Sequence, residues 1–239
     1  MEEAPPDLEE SGTAYSEVFP TDDERLPEAA REKAPEVIQG PDADRLAALK
    51  ELEKTVRACT KCELCRGRKQ AVFSDGNPYA ELVFVGEAPG GDEDRIGKPF
   101  VGRAGQLLTD IIEKGMKLKR RDVYICNVIK CRPPENRNPT LDEVDQCEPY
   151  LIRQLELVRP KLICALGTYA AHSLLKSTEP VGKLRGKWYF YHGIPLRVTF
   201  HPAYLLRNPA DKSKTWMDVK EILKVLNGEV TPQPEGRLL

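Results

Sequence analysis

From about residue 46 onward, short apolar runs of strand length alternate with longer segments of helical periodicity, and this alternation restricts the chain more than any other feature. Glu81 to Val85 is an apolar run stopped by Gly86. Gln106 to Met116 follows with Leu107, Leu108, Ile111 and Ile112 on one side. Val123 to Ile129 reads as a second strand and Leu141 to Val158 as a long helix. Lys161 to Leu166 and Thr168 to Leu175 repeat the pair, and an aromatic segment Trp188 to Tyr191 turns at His192-Gly193 into a last strand at Leu196 to Phe200. Thr215 to Leu226 closes the chain as a helix. Strands buried on both faces read as continuous apolar runs, and strand-helix alternation builds a parallel sheet covered by helices on both sides. The expected fold is α/β, three layers α/β/α around a central, mainly parallel four-stranded sheet.

Charge divides the chain. Residues 1 to 45 carry 14 acidic and 4 basic side chains, net -10, and six prolines, against 24 acidic and 32 basic, net +8, in the rest. The first part has too few large apolar residues to offset chain entropy by burial, so we read 1 to 45 as an acidic, Pro-rich, disordered tail. Residues 46 to 230 form the folded domain, opened by a helix carrying Leu46, Leu49, Leu52 and Val56, and 231 to 239 a disordered C-terminus. The surplus of positive charge points to a polyanionic partner. No stretch approaches the roughly 18 apolar residues of a membrane span, and Glu2, Glu3, Asp7, Glu9 and Glu10 oppose a secretory signal. A cytoplasmic location is expected, and with it reduced thiols.

Seven cysteines in a reducing compartment read as ligands plus spare thiols. Cys59, Cys62 and Cys65 lie within seven residues, and a fourth ligand must come from Cys126, Cys131, Cys147 or Cys164. Cys126 and Cys164 fall inside apolar strands as inert buried thiols, leaving Cys131 and Cys147. Zinc and an iron-sulfur cluster both accept four thiolates, and spacing does not choose between them.

In open parallel sheets ligands sit beyond the carboxyl ends of the strands. The loop Gly86 to Asp94 is too acidic to cradle phosphate and lacks the Lys-Ser/Thr of a nucleotide-binding loop. His201 follows the last strand directly and precedes Pro202, which turns it toward the expected cleft.

Four motifs, Gly86-Glu87-Ala88-Pro89-Gly90, Lys98-Pro99-Phe100-Val101-Gly102, Asn127-Val128-Ile129-Lys130-Cys131-Arg132-Pro133-Pro134 and His201-Pro202-Ala203-Tyr204-Leu205-Leu206, together resemble the type-4 uracil-DNA glycosylases, from about Cys59 to Leu226. The resemblance implies the uracil-glycosylase fold, a monomer, and a hydrolase that removes uracil from single- or double-stranded DNA in base excision repair. It implies a 4Fe-4S cluster, whose ligand pattern Cys-x2-Cys then Cys-x15-Cys falls on Cys59, Cys62, Cys131 and Cys147, with Cys65 outside it. Gly86, Ala88, Phe100, Asn127 and His201 would hold the uracil, with Glu87, His201 and Asn136 catalytic. Tyr204, Leu205, Leu206 and Arg207 would form a wedge and phosphate contact on the DNA. A branch that becomes covalently attached to abasic DNA carries a Gln in the first motif and an Arg-rich loop with its own His. Ala88 and a His-free segment Val181 to Lys187 place this chain with the hydrolytic branch. The alternatives are a non-catalytic zinc- or iron-sulfur-stapled nucleic-acid binding module and a redox protein. The net -10 tail is expected to compete electrostatically with DNA for the basic face, with docking of a repair or replication partner as the alternative.

Overall fold

The computed structural model describes residues 41–234. The sheet contains strands β1 (Asp75–Gly76), β2 (Leu82–Gly86), β3 (Tyr124–Asn127), β4 (Leu162–Leu166), β5 (Trp188–Tyr191) and β6 (Ile194–Thr199), in the order β1-β3-β2-β4-β6-β5. The inner four, β3, β2, β4 and β6, run parallel, and β1 and β5 add an antiparallel strand at each edge. The four-stranded expectation therefore describes the parallel centre, and the sheet has six strands. The hairpin joining β5 to β6 turns through His192 and Gly193, both at positive φ (48° and 79°). That is the geometry whose twist matches flanking strands across a two-residue turn.

Alternate strand residues feed two cores. Val83, Val85, Tyr124, Cys126, Ile163, Ala165, Leu196 and Val198 face helices α1 (Pro41–Arg57), α5 (Leu141–Val158) and α6 (Thr168–Leu175). Leu82, Phe84, Ile125, Leu162 and Cys164 face the other layer, which includes α4 (Arg103–Asp110) and α9 (Lys212–Leu226). This is the three-layer arrangement, and it explains why the strands read as unbroken apolar runs: both faces are buried. Cys126 and Cys164 are fully buried in opposite cores.

Helix boundaries differ from the sequence reading in instructive places. Helix α1 starts at Pro41, so five residues assigned to the tail belong to the domain. Pro suits the first helical turn, and the Arg45 guanidinium donates to the carbonyls of Leu157 and Val158 (2.8 Å each), satisfying the end of α5. The tail assignment for 1–40 and the C-terminal one for 235–239 lie outside the described residues; residues 231–234 lack regular structure, yet Pro232 is buried. Gln106 to Met116 divides into the end of α4 and a π-helical turn, Ile111–Gly115. Helix α5 matches its expected span because Thr140 and Glu143 form a reciprocal capping box at its start.

The loop after β6 folds into the short helix α8 (Pro202–Arg207). Its packing corrects one assignment: Leu205 is fully buried in the α4/α9 core and cannot act as a wedge in DNA, whereas Leu206 is 40% exposed. Pro202 and Leu205, three residues apart, form the inward face of α8. We expect Leu205→Ala to lower the unfolding free energy by about 2–5 kcal/mol through the lost burial and the cavity. Leu206→Ala should stay within about 0.5 kcal/mol of wild type. Urea unfolding followed by circular dichroism measures both; equal, small effects would restore Leu205 to the surface.

Candidate active site

The carboxyl ends of the four parallel strands open onto one cleft of about 600 Å³. Glu87, Ala88, Phe100, Asn127, Asn136 and His201 all line it, so the structure gathers the sequence candidates from four separate loops. Tyr204 and Arg207 lie on its wall.

Gly86 sets the depth of the cleft. It pairs with Asn127 across β2 and β3, and a Cβ there would sit 2.4 Å from Asn127 Oδ1 and 2.6 Å from Phe100 Cζ. Only glycine lets the amide and the ring meet beneath the strand ends. Phe100 itself sits at φ 53° and is 7% exposed. Its left-handed backbone is held from both sides: Glu93 Oε1 accepts from the amides of Val101 (2.9 Å) and Gly102 (3.0 Å), and Arg120 donates to the Pro99 carbonyl (2.8 Å). The acidic loop that sequence reading excluded from phosphate binding thus has a structural task. Asp94 likewise accepts from the amides of Lys69 and Gln70.

Asn127 is 1% exposed, and its Oδ1 has no hydrogen-bond partner. A buried acceptor left unpaired costs about 1–3 kcal/mol, and such a group at the floor of a cleft is a ready receptor for a ligand N–H.

His201 caps α8: its Nδ1 accepts from the Ala203 amide at 3.1 Å. An acceptor Nδ1 leaves the proton of a neutral imidazole on Nε2, so the ring offers a donor from its far side. Burial, followed by the nearby Arg207 charge, pushes the His201 pKa down to about 4, so the ring is neutral near pH 7. Its centroid lies 5.6 Å from that of Phe100, tilted by 32°. Gly167, at φ 88°, permits this position, since a Cβ there would fall 2.7 Å from His201 Cβ.

Glu87 is half-buried, and burial alone pushes its carboxyl up to about 7. The two groups respond to the same desolvation in opposite senses, because one is charged when deprotonated and the other when protonated. Asn136 stands exposed on the facing rim at φ 55°, after Glu135 at φ 52°, and its Oδ1 accepts from Arg132 Nε at 2.9 Å. Tyr204 stacks on Phe200 (4.9 Å, 19°) and donates its hydroxyl proton to Asp211 at 2.6 Å. Sequence reading missed Tyr169, which lines the cleft while 42% exposed.

Five thiols, Cys59, Cys62, Cys65, Cys131 and Cys147, line a second cavity together with Arg68, Lys130 and Tyr150. Cys131 neighbours Cys59 and Cys62 electrostatically, Cys147 neighbours Cys131 and Cys62, and Cys65 neighbours Cys62. Cys131 Sγ accepts from Arg68 (2.9 Å), and Cys147 Sγ from the Lys130 amide (3.3 Å). Among the described residues no three or more His, Cys, Asp or Glu side chains are gathered as the shell of one metal ion. Burial pushes the Cys147 thiol up to about 11, so its thiolate requires a cationic partner. Sequence reading missed Lys130, which is 1% exposed; in the sequence it looks like an ordinary polar strand end.

Comparison with known proteins bears on these features. The pattern of the Uracil DNA glycosylase superfamily matches residues 73–224. The chain is 45% identical over 182 residues to the type-4 uracil-DNA glycosylase of Saccharolobus solfataricus, covering 73% of this chain and 84% of the relative. It is 40% identical over 185 residues to that of Archaeoglobus fulgidus, covering 74% and 92%. A type-5 uracil-DNA glycosylase of Pyrobaculum aerophilum is 34% identical over 149 residues, 54% of this chain and 64% of the relative.

Proposed function

This chain belongs to the uracil-DNA glycosylase superfamily, and we propose that its cleft excises uracil from DNA by hydrolysing the N-glycosidic bond of deoxyuridine, leaving an abasic site. The observation that carries this reading is the unpartnered amide of Asn127 buried beneath Phe100 beside a neutral His201.

The uracil base must leave the stack to reach the floor of the cleft, at a cost of a few kcal/mol. Phe100 offers its ring as the platform. Asn127 Oδ1 accepts from uracil N3–H while its amide NH₂ donates to O4, and Gly86 and Ala88 close the pocket edge. Cytosine presents the opposite polarity at both atoms, so admitting it would leave buried polar groups mispaired. As the C1′–N1 bond breaks, its electron pair moves onto the uracil ring and its oxygens. The Nε2–H of His201 donates to O2 where that charge collects, and a preorganised donor in a water-poor site is worth far more than in bulk water. Water, oriented by Glu87, then bonds to C1′ and passes its proton to that carboxylate; a carboxylate poised near neutrality suits that role. Asn136 assists from the facing rim. Tyr204, Leu206 and Arg207 meet the DNA strand at the cleft mouth, and the net +8 of the chain beyond residue 45 attracts the phosphates.

We further propose that Cys59, Cys62, Cys131 and Cys147 hold a four-iron, four-sulfur cluster. The donor chemistry fits. In a cluster each iron takes its own thiolate, and four thiols from two loops and a helix line one cavity. The cluster ties the Cys59 loop to the Cys131 loop and takes no part in the bond breaking. A redox protein or a binding module without catalysis accounts for the cysteines but not for the cleft.

Release of uracil from a labelled oligonucleotide tests the function. Replacing His201 with Ala should slow single-turnover excision by about two to three orders of magnitude with little change in DNA affinity; a rate within tenfold of wild type would remove it from the mechanism. In the wild type the excision rate should climb between about pH 6 and pH 8 as Glu87 ionises, with no further limb from His201, already neutral above about pH 5. Glu87→Gln should flatten that climb, and an unaltered profile would assign the water to another group. Iron and sulfide analysis should find Cys131→Ser and Cys147→Ser depleted, and Cys126→Ser, Cys164→Ser and Cys65→Ser fully loaded. Loss of iron in Cys65→Ser with retention in Cys147→Ser would reassign the ligand.

A further inference from the structure

Lys130 is the most deeply buried cation among the described residues, and nothing in the mechanism uses it. Lysine is almost never fully buried unless paired, yet among the described residues no carboxylate forms an ion pair with it. Its Nζ donates to the backbone carbonyl of Asn127 at 2.5 Å. Its amide donates to Cys147 Sγ at 3.3 Å, and its carbonyl accepts from the Val72 amide at 2.8 Å. The side chain lines the cavity of the five thiols; burial lowers its pKa, and the neighbouring thiols of Cys126, Cys147 and Cys131 oppose that shift when ionised. One residue therefore touches both the cysteine centre and the peptide that carries the base-reading amide.

We propose that Lys130 is a positioning residue that couples the cysteine centre to the uracil pocket: its ammonium is the counter-ion of the anionic group held by the thiolates, and its hydrogen bond fixes the Asn127 backbone so that the side-chain amide meets uracil squarely. The inference rests on the reading of the cleft and of the cysteines given above. Four thiolates on an iron-sulfur core leave the assembly negatively charged, and a buried negative group without a nearby cation is strongly unfavourable. Arg68, whose guanidinium donates to Cys131 Sγ at 2.9 Å, supplies part of that charge, and the Lys130 ammonium supplies it from the side facing Asn127. Asn127 ends β3 and has no hydrogen bond to its Oδ1, so its orientation depends on its backbone and on packing against Gly86 and Phe100. The Lys130 Nζ contact is the side-chain hydrogen bond that acts on that backbone.

The test uses the iron-loaded full chain, with Lys130→Met, which keeps length and loses charge, and Lys130→Gln, which keeps a polar head, as a second variant should the first fail to fold. Two readouts separate the two roles. Bleaching of the visible cluster absorbance by a chelator should run at least about fivefold faster in Lys130→Met, whereas a purely packing role leaves it unchanged. Uracil excision, as kcat/KM, should fall by about tenfold in Lys130→Met but by less than about twofold when the same change is made in an Asn127→Ala background. Additive losses in the double variant would overturn the positioning role, and an unchanged bleaching rate would overturn the counter-ion role. If the wild-type protein released no uracil, the reading of the cleft would fail, while the bleaching comparison would still decide the role of the charge.

Discussion

Two parallel strands end side by side at Gly86 and Asn127, and the missing side chain at Gly86 decides what those ends can do. Any Cβ there would overlap both the Asn127 amide and the Phe100 ring, so the sheet edge would be filled and no flat aromatic base could reach the amide. Other features follow from keeping that space open. Phe100 must turn back over the gap with a left-handed backbone, which carries a strain cost for a bulky residue. Glu93 and Arg120 hold that conformation from either side through three hydrogen bonds to the loop's own backbone. The acidity of Glu93 serves this fixation.

The same enclosure sets the chemistry. Removing water from the strand ends raises the Glu87 carboxyl toward neutrality and lowers the His201 imidazole well below it. A protonated His201 would be a stronger donor but would carry a desolvation penalty on every protein molecule, reacting or not. A neutral ring whose tautomer is fixed by the Ala203 amide meets the developing charge with no rearrangement. One physical cause thus shifts the two groups in opposite directions, the separation of protonation behaviour expected of paired catalytic groups.

The parallel centre of the sheet was legible because strands buried on both faces need apolar residues at every position, as Leu82 to Val85 and Leu162 to Leu166 show. The edge strand β1 was not, since two residues, Asp75 and Gly76, form it by pairing alone and carry no apolar signal. Helix α3 (Gly91–Ile96) hid within a Gly- and Asp-rich stretch for the same reason. At the site, His201, Asn127 and Phe100 were legible from their motifs and strand-end positions. Leu205 was misread because sequence gives the order of side chains along α8 and not the direction of its inward face. Lys130 was legible only as a member of its motif: its burial beside the cysteine cavity is encoded by no local pattern.

The two walls of the cleft are supported by different means. On the His201 side, Thr199, two residues upstream, donates to the buried carboxylate of Asp218 (2.9 Å), which also accepts from Arg185 Nε (3.0 Å). That ties β6 to α9 and to the loop after α7 (Val181–Leu184) by side chains of the chain alone. On the Asn127 side the equivalent support runs through Lys130 to the cysteine cavity. The His201 wall is thus self-contained, while the Asn127 wall leans on the cysteine cavity through Lys130. On the proposed reading, a group bound by those cysteines would act on recognition first and on bond breaking only through recognition, from a place remote from the reacting atoms.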